Sequence, residues 1–293
     1  METIYFLVQQ TMLFSIPLLL VALGGMFSER SGVVNIALEG IMIIGAFTGI
    51  FFISRFGNLF SPTITLFIAI IISALSGLIF SLLHAYASIN MSADQVISGT
   101  ALNIFAPAFA IYVTRAIQVV QQISFVNNFR IESVPVLGNI PIIGNLLFKN
   151  AYITTYLGFI ILALSWFALY KTRFGLRLRS CGEHPQAADS VGINVYKMRY
   201  FGVAISGALA GIGGLVFVIP TSTNFNATVA GYGFLALAVL IFGQWKPMRI
   251  LYAAFFFGLM KTLASAYSGI PILANLPISN SVYKMIPYIT TII

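Results

Sequence analysis

The sequence predicts an all-α fold, a polytopic bundle of transmembrane helices. Three observations carry that prediction. Hydrophobic residues make up 59% of the 293 positions and charged residues only 8%, against about 25% charged in soluble domains. Mean hydropathy is +0.97. The apolar residues fall in runs long enough to cross a bilayer, which takes about 20 residues. In lipid, backbone groups must be satisfied internally, and runs of this length do so as helices, not as the short alternating strands of a barrel. The composition excludes a water-soluble enzyme, a nucleic-acid binder and a disordered chain. The net charge of +8 marks topology in such a chain.

Taken in order, the predicted spans are Tyr5–Phe27, Val33–Ile53, Ile64–Ile89, Val96–Ala116, Ala151–Tyr170, Tyr200–Ile219 and Ile250–Tyr267. Phe234–Phe242 is apolar but too short to span alone, and Met285–Ile293 is nine residues of a further apolar piece. The total is eight or nine segments, some interrupted or re-entrant, in one transmembrane domain over 1–293. No cleavable leader is read at the N-terminus, which lacks a basic n-region. Two long polar stretches separate the spans, 118–150 and 171–199. The second holds Lys171, Arg173, Arg177, Arg179, Lys197 and Arg199, so it is placed in the cytoplasm. Five spans precede it, which puts the N-terminus and the loop 118–150 outside.

Polar residues inside spans are costly and point to function. Asn35 and Glu39 are four apart, which puts both on one helical face. They line a substrate path or gate, or they make a helix–helix hydrogen bond or an N-terminal cap of the second span. Ser92, Asp94, Gln95, Ser98 and Asn103 open the fourth span, with Ser92 as its expected N-cap. Asn103 lies deeper and needs a partner. Lys261, mid-span, either snorkels or pairs. Gly207 and Gly211, and Ala210 and Gly214, are each spaced by four, as in closely packed membrane helices. Val33–Gly45 and Phe234–Gly243 both follow polar breaks, the pattern of paired interrupted segments around a midplane site. The lone Cys181 rules out an intramolecular disulfide. The two histidines, His84 and His184, form no catalytic constellation, and no zinc-ligand spacing exists.

In the basic loop, Pro185 suits the first turn of a short helix, Gln186–Val191, closed by Gly192, with Ala187 and Ala188 as a small, flat exposed face. The run from Gly182 to Val195, Gly-Glu-His-Pro-Gln-Ala-Ala-Asp-Ser-Val-Gly-Ile-Asn-Val, resembles the coupling loop of permeases of ATP-binding cassette importers in the ribose and branched-chain amino acid group. Glu29–Gly40, Val96–Asn103, Phe201–Gly214 and Gly233–Gly243 are similar to motifs of the nucleoside-type branch. The ribose branch carries Asp-Leu-Ser where this chain has Asn35–Glu39. The likeness covers about residues 20 to 260, with a longer loop at 118–150.

The resemblance implies a permease subunit in a bacterial plasma membrane. It implies a second, homologous permease, a cytoplasmic ATPase and an extracellular nucleoside-binding lipoprotein. Asn35, Glu39, Gln95, Ser98 and Asn103 would line the path. Gly182, Glu183, His184, Pro185, Gln186, Ala187, Ala188, Asp189 and Gly192 would seat in the ATPase. No Gly-x-x-x-x-Gly-Lys-Ser/Thr motif occurs, so ATP and magnesium would belong to the partner and this chain would carry no cofactor. The same architecture would serve a pentose or a branched-chain amino acid, and an ion-coupled carrier would use Glu39 as its titrating group.

Overall fold

The computed structural model describes residues 2–126, 129–133, 144, 149–266 and 285. Seven of its helices are long and apolar enough to cross a membrane. They are α1 (Glu2–Arg30), α2 (Leu38–Phe56), α3 (Pro62–Ala85), α4 (Gln95–Gln118), α5 (Ile153–Lys171), α8 (Val195–Thr221) and α10 (Pro247–Ala266). Between the last two lies α9 (Tyr232–Phe242), eleven residues long. Two short helices, α6 (Arg173–Glu183) and α7 (Pro185–Ser190), fill the basic loop. The bundle predicted from composition is the fold found. The apolar piece Met285–Ile293 and most of 134–148 lie outside the described residues.

Helix α8 is the axis of the bundle. Within its spanning stretch 78% of residues are buried, against 17% for α4. Its glycines explain why. A Cβ on Gly211 would strike the carbonyl oxygen of Ser73 in α3, one on Gly214 the carbonyl oxygen of Met42 in α2, and one on Gly213 the Val21 side chain in α1. From the other side, a Cβ on Gly45 would strike Gly211 and one on Gly77 would strike the Gly207 carbonyl. Without a solvent-driven hydrophobic effect between helices in lipid, such close approach supplies dispersion energy. Hydroxyls then bridge the backbones: Ser73 Oγ donates to Gly45 O at 2.8 Å and Ser81 Oγ to Val203 O at 3.2 Å.

Two local differences from the sequence reading have plain causes. The second span is helical only from Leu38; residues 31–37 turn without helix, starting at Gly32, whose φ of +91° suits glycine. Asn35 therefore does not share a helical face with Glu39. The N-cap of α4 is Asp94, not Ser92: one carboxylate oxygen accepts from Val96 N at 2.8 Å and Ile97 N at 3.0 Å. A π-helical turn, Tyr86–Asn90, extends α3. Before it the chain is α-helical through Ala85.

Two ends of the bundle differ in charge. At one lie the end of α1, the starts of α4, α8 and α10, and the loop with α6 and α7. That end carries Arg30, Lys171, Arg173, Arg177, Arg179, Lys197, Arg199, Lys246 and Arg249. The opposite end carries Arg55, Arg115, Arg130 and Lys149. It also holds two small antiparallel pairs. Strand β1 (Ile123–Ser124) pairs with β4 (Asn224–Phe225), and β2 (Arg130–Ser133) with β3 (Lys149–Tyr152).

Candidate functional site

The non-helical stretch 31–37 runs through apolar surroundings, where unpaired amides and carbonyls are expensive. Side chains from three other helices satisfy it. Gln95 Oε1 accepts from Val34 N at 2.8 Å. His84 Nε2 donates to Val34 O at 2.9 Å, which leaves Nδ1 to accept from the Ser98 hydroxyl at 3.1 Å in the neutral tautomer. Asn103 Nδ2 donates to Ile36 O at 2.9 Å, and its Oδ1 accepts from Gly40 N at 2.8 Å. Asn103 thus caps α2 from outside, since Ala37 has no side-chain cap to give. Asn35 turns back on its own loop, accepting from Ala37 N at 3.1 Å, and donates to Ser206 Oγ at 2.9 Å in α8. Its side chain is fully buried.

Glu39 serves a second break. After α8 the chain passes through β4, then takes left-handed backbone at Ala227, Ala230 and Gly231 before α9 begins. Glu39 Oε1 accepts from Gly231 N at 2.9 Å and Oε2 from Gly233 N at 2.6 Å. Both amides are among those a helix start leaves unpaired, and a carboxylate there also meets the positive end of the helix dipole. Gly233 is needed for contact: a Cβ would strike the Glu39 backbone. The first turns of α2 and α9 therefore abut. Eleven residues of α9 measure about 16 Å, roughly half of a ~30 Å hydrocarbon core. The junction therefore lies about that far from the Phe242 end of α9, and it joins the two segments that the paired-break pattern singled out.

The five predicted path residues fall around this junction and direct polar atoms at backbone or at neighbouring polar side chains. Sequence reasoning gave no role to His84, although it is the one titratable residue between Phe56 and Ala93 apart from tyrosine; it also gave none to Ser206. Lys261 lies with its ammonium 5.8 Å from the centroid of the Tyr232 ring, at the first turn of α9. Among the described residues no group of three or more His, Cys, Asp or Glu is placed to hold a metal ion.

The basic end is tied to the same elements. Trp245 Nε1 donates to the Glu29 carboxylate, and Trp245 O accepts from Arg30 Nη2 at 3.3 Å. Arg30 Nη1 lies 3.9 Å from Glu183 Oε1, a pair of small energetic weight with Arg30 half-buried and Glu183 exposed. Gly182 packs on the Arg30 carbonyl and on Gly32. Thr172 caps α6 by accepting from Gly175 N at 3.2 Å. Helix α7 is the predicted short helix, shifted to Pro185–Ser190. Gly192 follows it with φ +80° and donates to Asp189 O at 2.8 Å. Gln186, Ala187, Asp189, Glu183 and His184 are exposed. Ala188 is not: it is 3% exposed, packed with Cys181 and Met198. A helix of one and a half turns must bury one face to stay folded, and Ala188 is on it. A groove of about 670 Å³ runs between α6 and α7, with Leu176, Arg177, Ala187 and Val191 along it.

Burial raises the pKa of the Cys181 thiol; the Arg199 charge and a hydrogen bond with Ser180 oppose this in part. A buried, protonated thiol is a poor nucleophile. Maleimide at neutral pH is expected to leave Cys181 unmodified in the folded protein and to label it on denaturation, as read by intact-mass spectrometry.

Residues 7–293 match a family described as branched-chain amino acid transport system / permease component. The chain belongs to this permease family. The nucleoside ABC transporter permease protein NupC of Lactococcus lactis subsp. cremoris is 42% identical over 293 residues, which cover 100% of this chain and 92% of NupC. The guanosine ABC transporter permease protein NupQ of Bacillus subtilis is 44% identical over 98% of this chain and 90% of its own length. A second L. lactis protein, the nucleoside ABC transporter permease protein NupB, is 26% identical over 87% of this chain and 72% of its own. No solved structure matches the chain. The permease is thus a multi-pass membrane protein and a transporter component.

Proposed function

We propose that this permease is one of two membrane subunits of an ATP-driven importer of nucleosides. The observation that carries this reading is likeness along the whole chain to NupC and NupQ, both named for nucleoside or guanosine transport. The likeness to NupB, a second nucleoside permease of the organism that has NupC, supports a heterodimer of related permeases. Among the described residues, nine basic ones at one end against four at the other support a cytoplasmic α6–α7 end and an outside N-terminus. Exposed Gln186, Ala187 and Asp189, beside the α6–α7 groove, are the surface that meets the ATPase, which hydrolyses ATP. A lipoprotein outside delivers the nucleoside. Because a nucleoside is neutral, the path needs hydrogen-bonding groups and no fixed counter-charge. That fits a junction in which Glu39 is already spent on α9.

Purification from the native membrane in mild detergent, followed by mass spectrometry, tests the assembly. An ATPase, a second permease and a lipoprotein are expected to co-elute. Recovery of the chain alone would end the reading. Topology has its own test. In a Cys181→Ser background, Ser190→Cys is expected to react with a membrane-impermeant maleimide only in inverted vesicles, and Val120→Cys only in intact cells. The opposite pattern would reverse the orientation.

A further inference from the structure

Helix α9 is held at both ends by residues that connect to the two faces of the bundle. At its start are the paired bonds from Gly231 and Gly233 to Glu39. At its base, Trp245 bonds to Glu29 and Arg30, and Arg30 and Gly32 are the residues against which Gly182 and Glu183 sit. The extended chain before α9 joins β4, whose partner β1 belongs to the loop following α4. Phe125 N bonds to Thr223 O at 3.1 Å, and Ser54 Oγ to Ser124 O at 3.0 Å, fastening that strand pair to α2. A displacement at either face therefore reaches α9 through a short run of contacts.

Two features mark the Glu39 contact as one made to α9 and not to a solute. The carboxylate is 8% exposed and both of its oxygens accept from α9 amides, so it offers a solute little. The fit is also specific to a carboxylate. Two N–H donors converge on two acceptor oxygens, whereas an amide would set its NH2 against one of them.

We propose that Glu39 is a positioning residue for transport: its carboxylate latches the half-helix α9 to the start of α2, and the rate of the change of access depends on that latch. This rests on the transporter reading above. Glu39 acts through α9 and not on the solute.

The test uses the complete transporter, with its partner subunits, in liposomes, comparing wild type with Glu39→Gln. The variant keeps the side-chain volume, breaks one of the two bonds and leaves the other without its charge. The maximal uptake rate is expected to fall about tenfold, the scale of one such bond, while the concentration for half-maximal uptake stays within about twofold. Hydrogen exchange of the same complexes is expected to show the amides of residues 231–234 exchanging about tenfold faster in the variant. Glu39→Asp, which keeps the charge but withdraws it by one methylene, is the second variant and is expected to shift both readouts in the same directions. Unchanged uptake overturns the proposal. So does a raised half-maximal concentration at unchanged maximal rate, which would mark a solute contact. Slower uptake with unchanged amide exchange also overturns it. If wild-type liposomes show no ATP-dependent uptake, the transporter reading fails, and the exchange measurement alone decides for or against the latch.

Discussion

Replacing Gly211 by valine is expected to leave almost no folded permease in the membrane. The position has backbone on two sides. A Cβ there would strike the Ser73 carbonyl oxygen and come within 3.1 Å of the Gly77 Cα, both in α3. Across the α2 contact, Gly45 already abuts the Gly211 backbone. None of these neighbours is a flexible side-chain end, so relief requires moving a helix. Overpacking of this kind costs about 1–3 kcal/mol per site and more when backbone must shift, and folded proteins have only about 5–15 kcal/mol in hand. Parting α8 from α3 would also weaken the Ser81–Val203 bond. Detergent gel filtration and a thermal-unfolding scan check it. Gly211→Ala should show an intermediate loss. An alanine variant with wild-type yield and melting temperature would mean that the helices are further apart than described.

The second large effect separates two adjacent alanines. Ala187→Trp is expected to leave the permease folded and assembled but to lower uptake by about a hundredfold, with ATP hydrolysis persisting. The indole would stand on the exposed side of α7, beside the α6–α7 groove, where it would shift the seating of the docked ATPase without releasing it. A hundredfold corresponds to about 2.7 kcal/mol of lost coupling. Ala188→Trp should behave differently. Its Cβ faces Cys181 and Met198, so the indole would break the packing of α7 and release Cys181 to maleimide. Equal effects of the two variants on uptake, with Cys181 protected in both, would refute the surface assigned to α7.

Much of this was legible in the letters. Length and apolarity located the spans because, in lipid, those two properties are nearly sufficient. The pairing of two broken segments was visible as polar residues following apolar runs. The partners of Asn103 and Glu39 were not visible. Asn103 bonds to residues 63 and 67 positions away, and Glu39 to residues 192 and 194 positions away; no periodicity reports a contact across that distance. Helical spacing misled at Asn35, since an i, i+4 face exists only if the helix has begun, and here it begins three residues later. It misled again at Ala188, where two small residues in a row gave no sign of which one faces inward. The Asp94 cap was misassigned to Ser92 because both residue types cap well and only backbone angle decides: Ser92 has φ +51°.

The length of α9 also bears on how the chain is made. Eleven residues are too few to be taken into the bilayer as an independent span. Its landing surface is built from segments synthesised about two hundred residues earlier: Gly25, against which Leu240 packs, and the Glu39 carboxylate. Biogenesis of the second half must therefore wait on the first. Until α1 and α2 are in place, the stretch 222–246 has nowhere in the membrane to satisfy its backbone, and a ribosome that has finished α8 has delivered a docking template before the piece that docks.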